Sequence, residues 1–134
     1  MFVGKAVRRW QMIIVVIAAS AYASTSAGAA EISFSTFLGG SEWEHARDAY
    51  VDDAGFVYVV GGTRSDDFPT TGDAFQTKHD KTGTEIGAGG YCDAFVSKFD
   101  SGGRLIWSTL LGGPNYDRAY AVEVDSQGYV YVAG

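Results

Sequence analysis

One stretch of the chain occurs twice, and this duplication limits the possible fold more than any other feature. Residues 35–61 align without a gap with residues 108–134, at a constant offset of 73 (108 minus 35), and 13 of the 27 aligned positions are identical. Each copy ends in a run of β-branched and aromatic residues bounded by glycines, which is typical of a strand. A tandem unit of this kind predicts a repeat architecture in which neighbouring copies bury each other's apolar faces.

Four strands are predicted in each period of the repeat. Val57 and Val59 alternate with Tyr58 and Val60, so both faces of their strand are apolar, as expected for a strand buried between neighbouring sheets. Asp and Gly dominate the links between successive strands, and these residues favour tight turns. Four antiparallel strands joined by such turns are typical of a propeller blade. The predicted strands cover residues 49–51, 55–61, 94–99 and 105–111.

The sequence therefore predicts an all-β chain of four-stranded antiparallel β-propeller blades, incomplete at about one and a half blades. An outer strand over residues 32–38 precedes one full blade at about residues 46–111. Propellers close with several blades, so we expect further blades of the same or a longer chain as partners. The chain is accordingly expected to be a fragment of a larger propeller. A long insertion, residues 64–91, separates the second and third strands of the blade. It contains one predicted helical turn at residues 73–76, where Asp and Gln are spaced as in a capping box.

The first thirty residues have the layout of a secretory signal peptide. Three basic residues precede an apolar run over residues 12–19, and small residues follow. That run is shorter than the roughly 20 residues of a membrane-spanning helix, so no stable span is expected after cleavage. Cleavage after Ala23 and cleavage after Ala30 both fit. The domain prediction is thus a signal peptide over 1–30 and a propeller segment over 31–134, exported to the periplasm, cell surface or medium.

The charge of the predicted mature segment excludes some partners. All sixteen acidic residues lie at or after Glu31, while seven Lys and Arg remain there, which leaves a net charge of 7 − 16 = −9. Such a surface repels nucleic acid and anionic lipid, so neither is expected as a partner. Cys92 is the only cysteine, so no intrachain disulfide can form. An odd cysteine in an exported protein can pair with another chain, but a buried or semi-buried thiol is the expected state.

No residue pattern in the chain indicates catalysis or a cofactor. The nucleophile elbow, the zinc-protease helix motif and the phosphate loop are all absent from the sequence. His45, His79 and Cys92 are too widely spaced for a typical zinc site, and both histidines are predicted at the surface. Asp52 and Asp125 occupy equivalent repeat positions and are predicted to cap turns rather than to bind calcium. We therefore expect a protein that is not an enzyme, without catalytic, cofactor or metal residues.

One candidate binding surface remains. Trp43 and Tyr116 are equivalent by the repeat offset, and each follows a Gly-Gly pair. Exposed aromatic side chains can bind sugars or partner proteins, and they can equally pack between blades. The neighbouring loop adds Asp66, Asp67 and Phe68 to this candidate surface. The expected ligand is an extracellular protein or a glycan.

Several motifs in combination resemble the SBBP β-propeller repeat family. These are S-T-x-L-G-G at 35–40 and 108–113, V-D-x-x-G-x-V-Y-V-x-G at 51–61 and 124–134, D-F-P-T-T with A-F-Q at 67–76, and D-A-F-V-S-K-F at 93–99. The resemblance implies a β-propeller in an exported bacterial protein, and it implies no enzymatic activity or ligand residue. A scaffold or protein-interaction role is the leading expectation. The alternatives are a carbohydrate- or peptide-binding module that uses the inter-blade loops, and the N-terminal part of a larger secreted enzyme.

Overall fold

The computed structural model describes residues 31–82 and 91–134, together with the backbone of Ile13–Ile14. The regular elements of this part are all strands: β1 (Ile13–Ile14), β2 (Thr36–Phe37), β3 (Glu44–Val51), β4 (Val57–Thr63), β5 (Asp93–Phe99), β6 (Leu105–Leu111), β7 (Ala121–Val124) and β8 (Val130–Ala133). Among these residues there is no helix that could cross a membrane. Apart from β1, the predicted signal peptide lies outside the described residues, as do the glycine-rich residues 83–90.

Four strands form one antiparallel sheet in the order β3-β4-β5-β6. Each strand lies beside its predecessor in the chain, so tight turns join β3 to β4 and β5 to β6, while the long insertion joins β4 to β5. β7 and β8 form a second antiparallel pair at the repeat positions of β3 and β4. The predicted all-β architecture, with one four-stranded blade and the first half of the next, is confirmed.

The first strand of the blade is longer than the sequence pattern indicated. The prediction placed it at residues 49–51, whereas β3 begins at Glu44 and has eight residues. A register shift between Ala46 and Asp48 leaves Arg47 without a partner on β4. Such a bulge interrupts the alternation of side chains, so the first half of the strand has no period-two pattern to detect.

The outer strand predicted over residues 32–38 is also wrong in its extent. Only Thr36–Phe37 is a strand, and it pairs antiparallel with β1. Phe34 and Leu38 pack against the core of the blade instead. These two side chains, rather than a longer paired strand, therefore attach the segment to the blade.

The predicted helical turn at residues 73–76 does not form. The amide of Ala74 donates to the carbonyl of Thr71 in a turn (3.1 Å), and the amide of Leu110 on β6 donates to the carbonyl of Gln76 (2.9 Å). The amide of Gln76 donates to the hydroxyl of Thr109 on β6 (3.0 Å), so it does not bond back to the preceding residues as it would in a helical turn.

Two apolar clusters lie on opposite faces of β4, all seven residues of which are buried. Val57 and Val59 belong to the first cluster, and Tyr58 and Val60 to the second, as the alternation in the sequence predicted. The first cluster is completed by Leu38, Phe68, Phe95, Phe99 and Leu110. The second joins the blade to the β7–β8 pair through Ala94, Val96, Ala119, Val122 and Val124. The second pair is thus packed face to face on the blade.

Candidate functional site

The two ends of the blade differ in chemistry. One end carries tight turns closed by aspartates; Asp52 Oδ1, for example, accepts from the amides of Ala54 (3.0 Å) and Phe56 (2.9 Å). Asp125 repeats this arrangement, which confirms the predicted turn-capping role of the two residues. Asp100 caps a third turn, where hydrogen bonds from Arg104 hold the pKa of its carboxyl below the usual range. The carboxylates of these three aspartates already accept hydrogen bonds from backbone amides, so the candidate binding site lies at the opposite end of the blade.

At that opposite end, β3 and β5 begin, β4 and β6 end, and the two repeats meet. The guanidinium carbon of Arg118 lies 4.6 Å from the ring centre of Trp43 and 4.7 Å from that of Tyr116. The Trp43 ring also contacts His45 edge-on, with 5.4 Å between ring centres. Aromatic faces attract cations at these distances. The result is a continuous stack, defined here as the inter-blade stack, which consists of His45, Trp43, Arg118 and Tyr116.

The repeat explains how this stack forms. His45 and Arg118 are equivalent by the offset of 73, as are Trp43 and Tyr116. In each copy the cationic or ionisable residue follows the aromatic residue by two positions, so both point to the same face of an extended chain. Packing of the two copies against each other then inserts the cation of the second between the aromatic rings of both.

The stack is accessible to a ligand. The Trp43 side chain is 41% exposed, and Tyr116 and Arg118 are half-buried. Tyr116, Arg118 and Tyr120 line an open groove of about 510 Å³. Asp117 also lines the groove, but its Oδ2 atom accepts a hydrogen bond from the amide of Gly113 (2.8 Å). Asp117 is the only carboxylate side chain in the lining and is already engaged, so a ligand in the groove would meet rings and a guanidinium.

Positive charge collects around the stack although the chain is acidic. Arg47 lies over the ring of Tyr120 at 5.2 Å, so it extends the pattern of cations on aromatic rings. Burial, together with the nearby charges of Arg47 and Arg118, lowers the pKa of His45 below its usual value. Elsewhere, Lys81 and Arg104 are paired with aspartates. Among the described residues, no carboxylate lies within ion-pair distance of Arg118.

The structure brings only part of the predicted surface together. Trp43 and Tyr116 are joined through Arg118, as described above. Asp66 forms an ion pair with Lys81 (2.6 Å), which lowers the pKa of its carboxyl. Asp67 binds the backbone amide of Ser41 (2.7 Å) and so holds the start of the loop that carries Trp43.

Phe68 does not belong to any surface. It is buried in the first apolar cluster, with its ring centre 4.7 Å from that of Phe95. Its place in the candidate surface is therefore corrected to a place in the core. Arg118 was not predicted from the sequence, although a cationic or ionisable residue follows the aromatic residue by two positions in both copies of the repeat.

A buried polar cluster lies beneath the same end of the blade. The carboxylate of Glu44 accepts from the hydroxyls of Thr63 (2.9 Å) and Ser65. The prediction that His79 lies at the surface is wrong, because its side chain is 1% exposed and its Nδ1 atom lies 3.3 Å from Oδ1 of the buried Asp93. The Asp93 carboxylate raises the pKa of His79, and burial of the ring opposes this effect.

Cys92 adjoins this cluster and is fully buried, as predicted. Burial raises the pKa of its thiol, which makes the reactive thiolate scarce. Across the described ranges, no three His, Cys, Asp or Glu side chains converge as metal ligands would.

Antiparallel four-stranded sheets that repeat along the chain and pack face to face define a β-propeller-type repeat protein. Residues 106–134 match the family model described as SBBP, beta-propeller repeat. The match runs from β6 through β8, so the chain carries a repeat of this family, and the resemblance seen in its motifs is confirmed there. No curated protein and no solved structure matches the chain.

Proposed function

We propose that this protein is an exported, non-enzymatic β-propeller repeat protein that binds an extracytoplasmic partner at the boundary between its blades. The observation that carries the proposal is Arg118, held between Trp43 and Tyr116 at the edge of an open groove. The signal-like layout of the first thirty residues supports export. The absence of catalytic sequence motifs supports a binding role rather than an enzymatic one.

The chemistry of the boundary favours an anionic partner. Arg118 has no acidic neighbour within ion-pair distance in the described part of the chain, and its guanidinium is packed against two aromatic rings. A preorganised guanidinium binds carboxylates with little loss of side-chain entropy. Exposed aromatic rings add contact area for an acidic peptide or for the sugar rings of an acidic glycan. The partner is thus a carboxylate-bearing extracellular protein or polysaccharide.

Direct binding measurements on the full chain test this proposal. Polyglutamate and polygalacturonate serve as the acidic probes, and uncharged dextran is the neutral probe. We expect at least one acidic probe to bind and Arg118→Ala to weaken that binding about tenfold, since about 1.4 kcal/mol of charge and cation–π interaction corresponds to that factor. Trp43→Ala is expected to weaken it less, because Tyr116 still supports the guanidinium.

Arg104→Ala is the matched control. It removes the same charge at the opposite end of the blade, where Arg104 is paired with Asp100. Its binding is expected to stay within about twofold of the parent. The proposal fails if neither acidic probe binds, or if the two arginine variants lose binding equally, because the effect would then come from net charge alone.

A further inference from the structure

Part of the long insertion covers an edge of the blade. β6 is an edge strand, and residues 71–76, named here the edge segment, lie along it. The amide of Thr71 donates to the carbonyl of Ser108 (3.0 Å), and the amide of Leu110 donates to the carbonyl of Gln76 (2.9 Å). Uncovered edge strands invite pairing with other chains, and a covering loop prevents it. The edge segment therefore covers β6 and blocks its pairing with other chains.

The side chain of Gln76 anchors the end of the edge segment. Gln76 Nε2 donates to Oδ2 of Asp93 (2.7 Å), and Gln76 Oε1 accepts from the amide of Gly112 (2.9 Å). Asp93 is the first residue of β5 and is fully buried. The edge segment is therefore attached to the interior of the blade through the buried carboxylate of Asp93.

His79 closes the same attachment from the other side. Its Nδ1 atom faces Asp93 Oδ1 (3.3 Å), and its Nε2 atom lies 3.1 Å from the carbonyl oxygen of Ser65. A carbonyl can only accept a hydrogen bond, and so can an ionised carboxylate. A doubly protonated ring supplies the N–H donor to the Ser65 carbonyl and places its positive charge 3.3 Å from the buried Asp93 carboxylate. The geometry therefore favours a positively charged imidazole.

We propose that His79 is a proton-controlled latch that holds the edge segment on β6. Loss of one proton removes the positive charge that faces the buried Asp93 carboxylate, and an uncompensated charge in a buried site is costly. The edge segment then separates from β6 more often and exposes the strand edge. The charged groups around His79 are Asp93 on β5 and, in the turn that follows β4, Asp66; both favour the protonated ring.

The direction of the pH effect follows from this geometry. A histidine whose pKa is raised in the folded state contributes its full stabilisation below the ordinary value of about 6.5 and loses it as the pH rises through the higher folded value. The latch is thus closed in mildly acidic solution and opens as the pH rises through the raised pKa of His79.

Amide hydrogen exchange on the full chain tests the latch. The Thr71 and Leu110 amides report on the edge segment, and the buried amides of β4 report on opening of the whole blade. After correction for the intrinsic exchange rate, we expect protection of Thr71 and Leu110 to fall about tenfold between about pH 6 and pH 9, while protection of β4 stays constant. His79→Gln is expected to show the lower protection at both pH values.

His45→Gln is the matched control, because it removes the only other histidine and leaves the latch intact. It should keep the pH dependence of the parent. Unchanged protection of Thr71 and Leu110 in the parent, or an undiminished pH response in His79→Gln, overturns the proposal. If His79→Gln does not fold, NMR titration of the two imidazoles in the parent decides: the loss of protection must follow the His79 titration, and a His79 pKa below that of His45 refutes the latch.

Discussion

At the scale of single residues, the turns at one end of the blade are built on one device. Asp52, Asp100 and Asp125 each accept, through Oδ1, the amides two and four positions further on. The third position after each aspartate is a glycine with φ of 82°, 83° or 85°, a region that side chains other than glycine disfavour. The sequence pattern was sufficient to predict these turns because their hydrogen bonds are local and depend on residue type alone.

Replacement of Asp52 tests this device. Asp52→Ala removes the acceptor of two backbone amides, and hydrogen bonds to a charged group contribute about 1–2 kcal/mol in total at a partly exposed site, so the free energy of unfolding should fall by that amount. Asp53→Ala is the control, since that exposed neighbour occupies the same turn, and its effect should stay within about 0.5 kcal/mol. Urea denaturation measures both. Equal losses in the two variants would contradict the capping role.

At the scale of elements, the strands were predictable where their side chains alternate and the turns where Asp and Gly are clustered. Three features were not predictable in this way. The bulge at Arg47 hides the first half of β3, burial of Phe34 and Leu38 replaces the expected outer strand, and the edge segment is extended because its backbone bonds to β6. Each depends on contacts between residues distant in the chain, which a local pattern does not contain.

The last glycine of the repeat has a reason that only the packed strands reveal. A Cβ atom at Gly61 would lie 2.1 Å from the carbonyl oxygen of His45 on β3, and one at Gly134 would lie 2.0 Å from the carbonyl oxygen of Arg118. Both copies therefore require glycine at a point where two backbones approach too closely for any side chain. The motif position reflects strand packing rather than a turn.

Gly61→Ala should accordingly be strongly destabilising. The added methyl group meets backbone atoms of β3 that cannot rotate away, so the strands must separate, and we expect the free energy of unfolding to fall by about 2 kcal/mol or more. Gly72→Ala is the control, because a Cβ atom there has no neighbour within 4 Å. Thermal melting followed by circular dichroism compares the two. A Gly61 variant as stable as the Gly72 variant would refute the close approach.

At the scale of the whole molecule, the candidate site is a product of the contact between repeats. The equivalence of Trp43 and Tyr116 was visible in the sequence, but the insertion of Arg118 between them was not, because it requires the second copy to pack on the first. Phe68 was misplaced for a related reason: its loop contains acidic and turn residues, yet the ring turns inward onto Phe95. Which side chains are buried and which are exposed therefore depends on the packing between the sheets, which the sequence pattern does not show.

Val122 on β7 provides a test of that contact. Its side chain is 2% exposed and lies in the cluster that contains Tyr58 and Val60 of β4, so the blade and the second pair share one apolar interface. Val122→Ala removes two methyl groups at roughly 0.8 kcal/mol each and leaves a small cavity, so the free energy of unfolding of the whole chain should fall by about 2 kcal/mol. Val132→Ala, in the partner strand but 36% exposed, should cost less than about 0.5 kcal/mol. Urea titrations followed by circular dichroism compare the two variants. Coincident unfolding midpoints would mean that the two sheets do not stabilise each other. The inter-blade stack would then lack a fixed geometry.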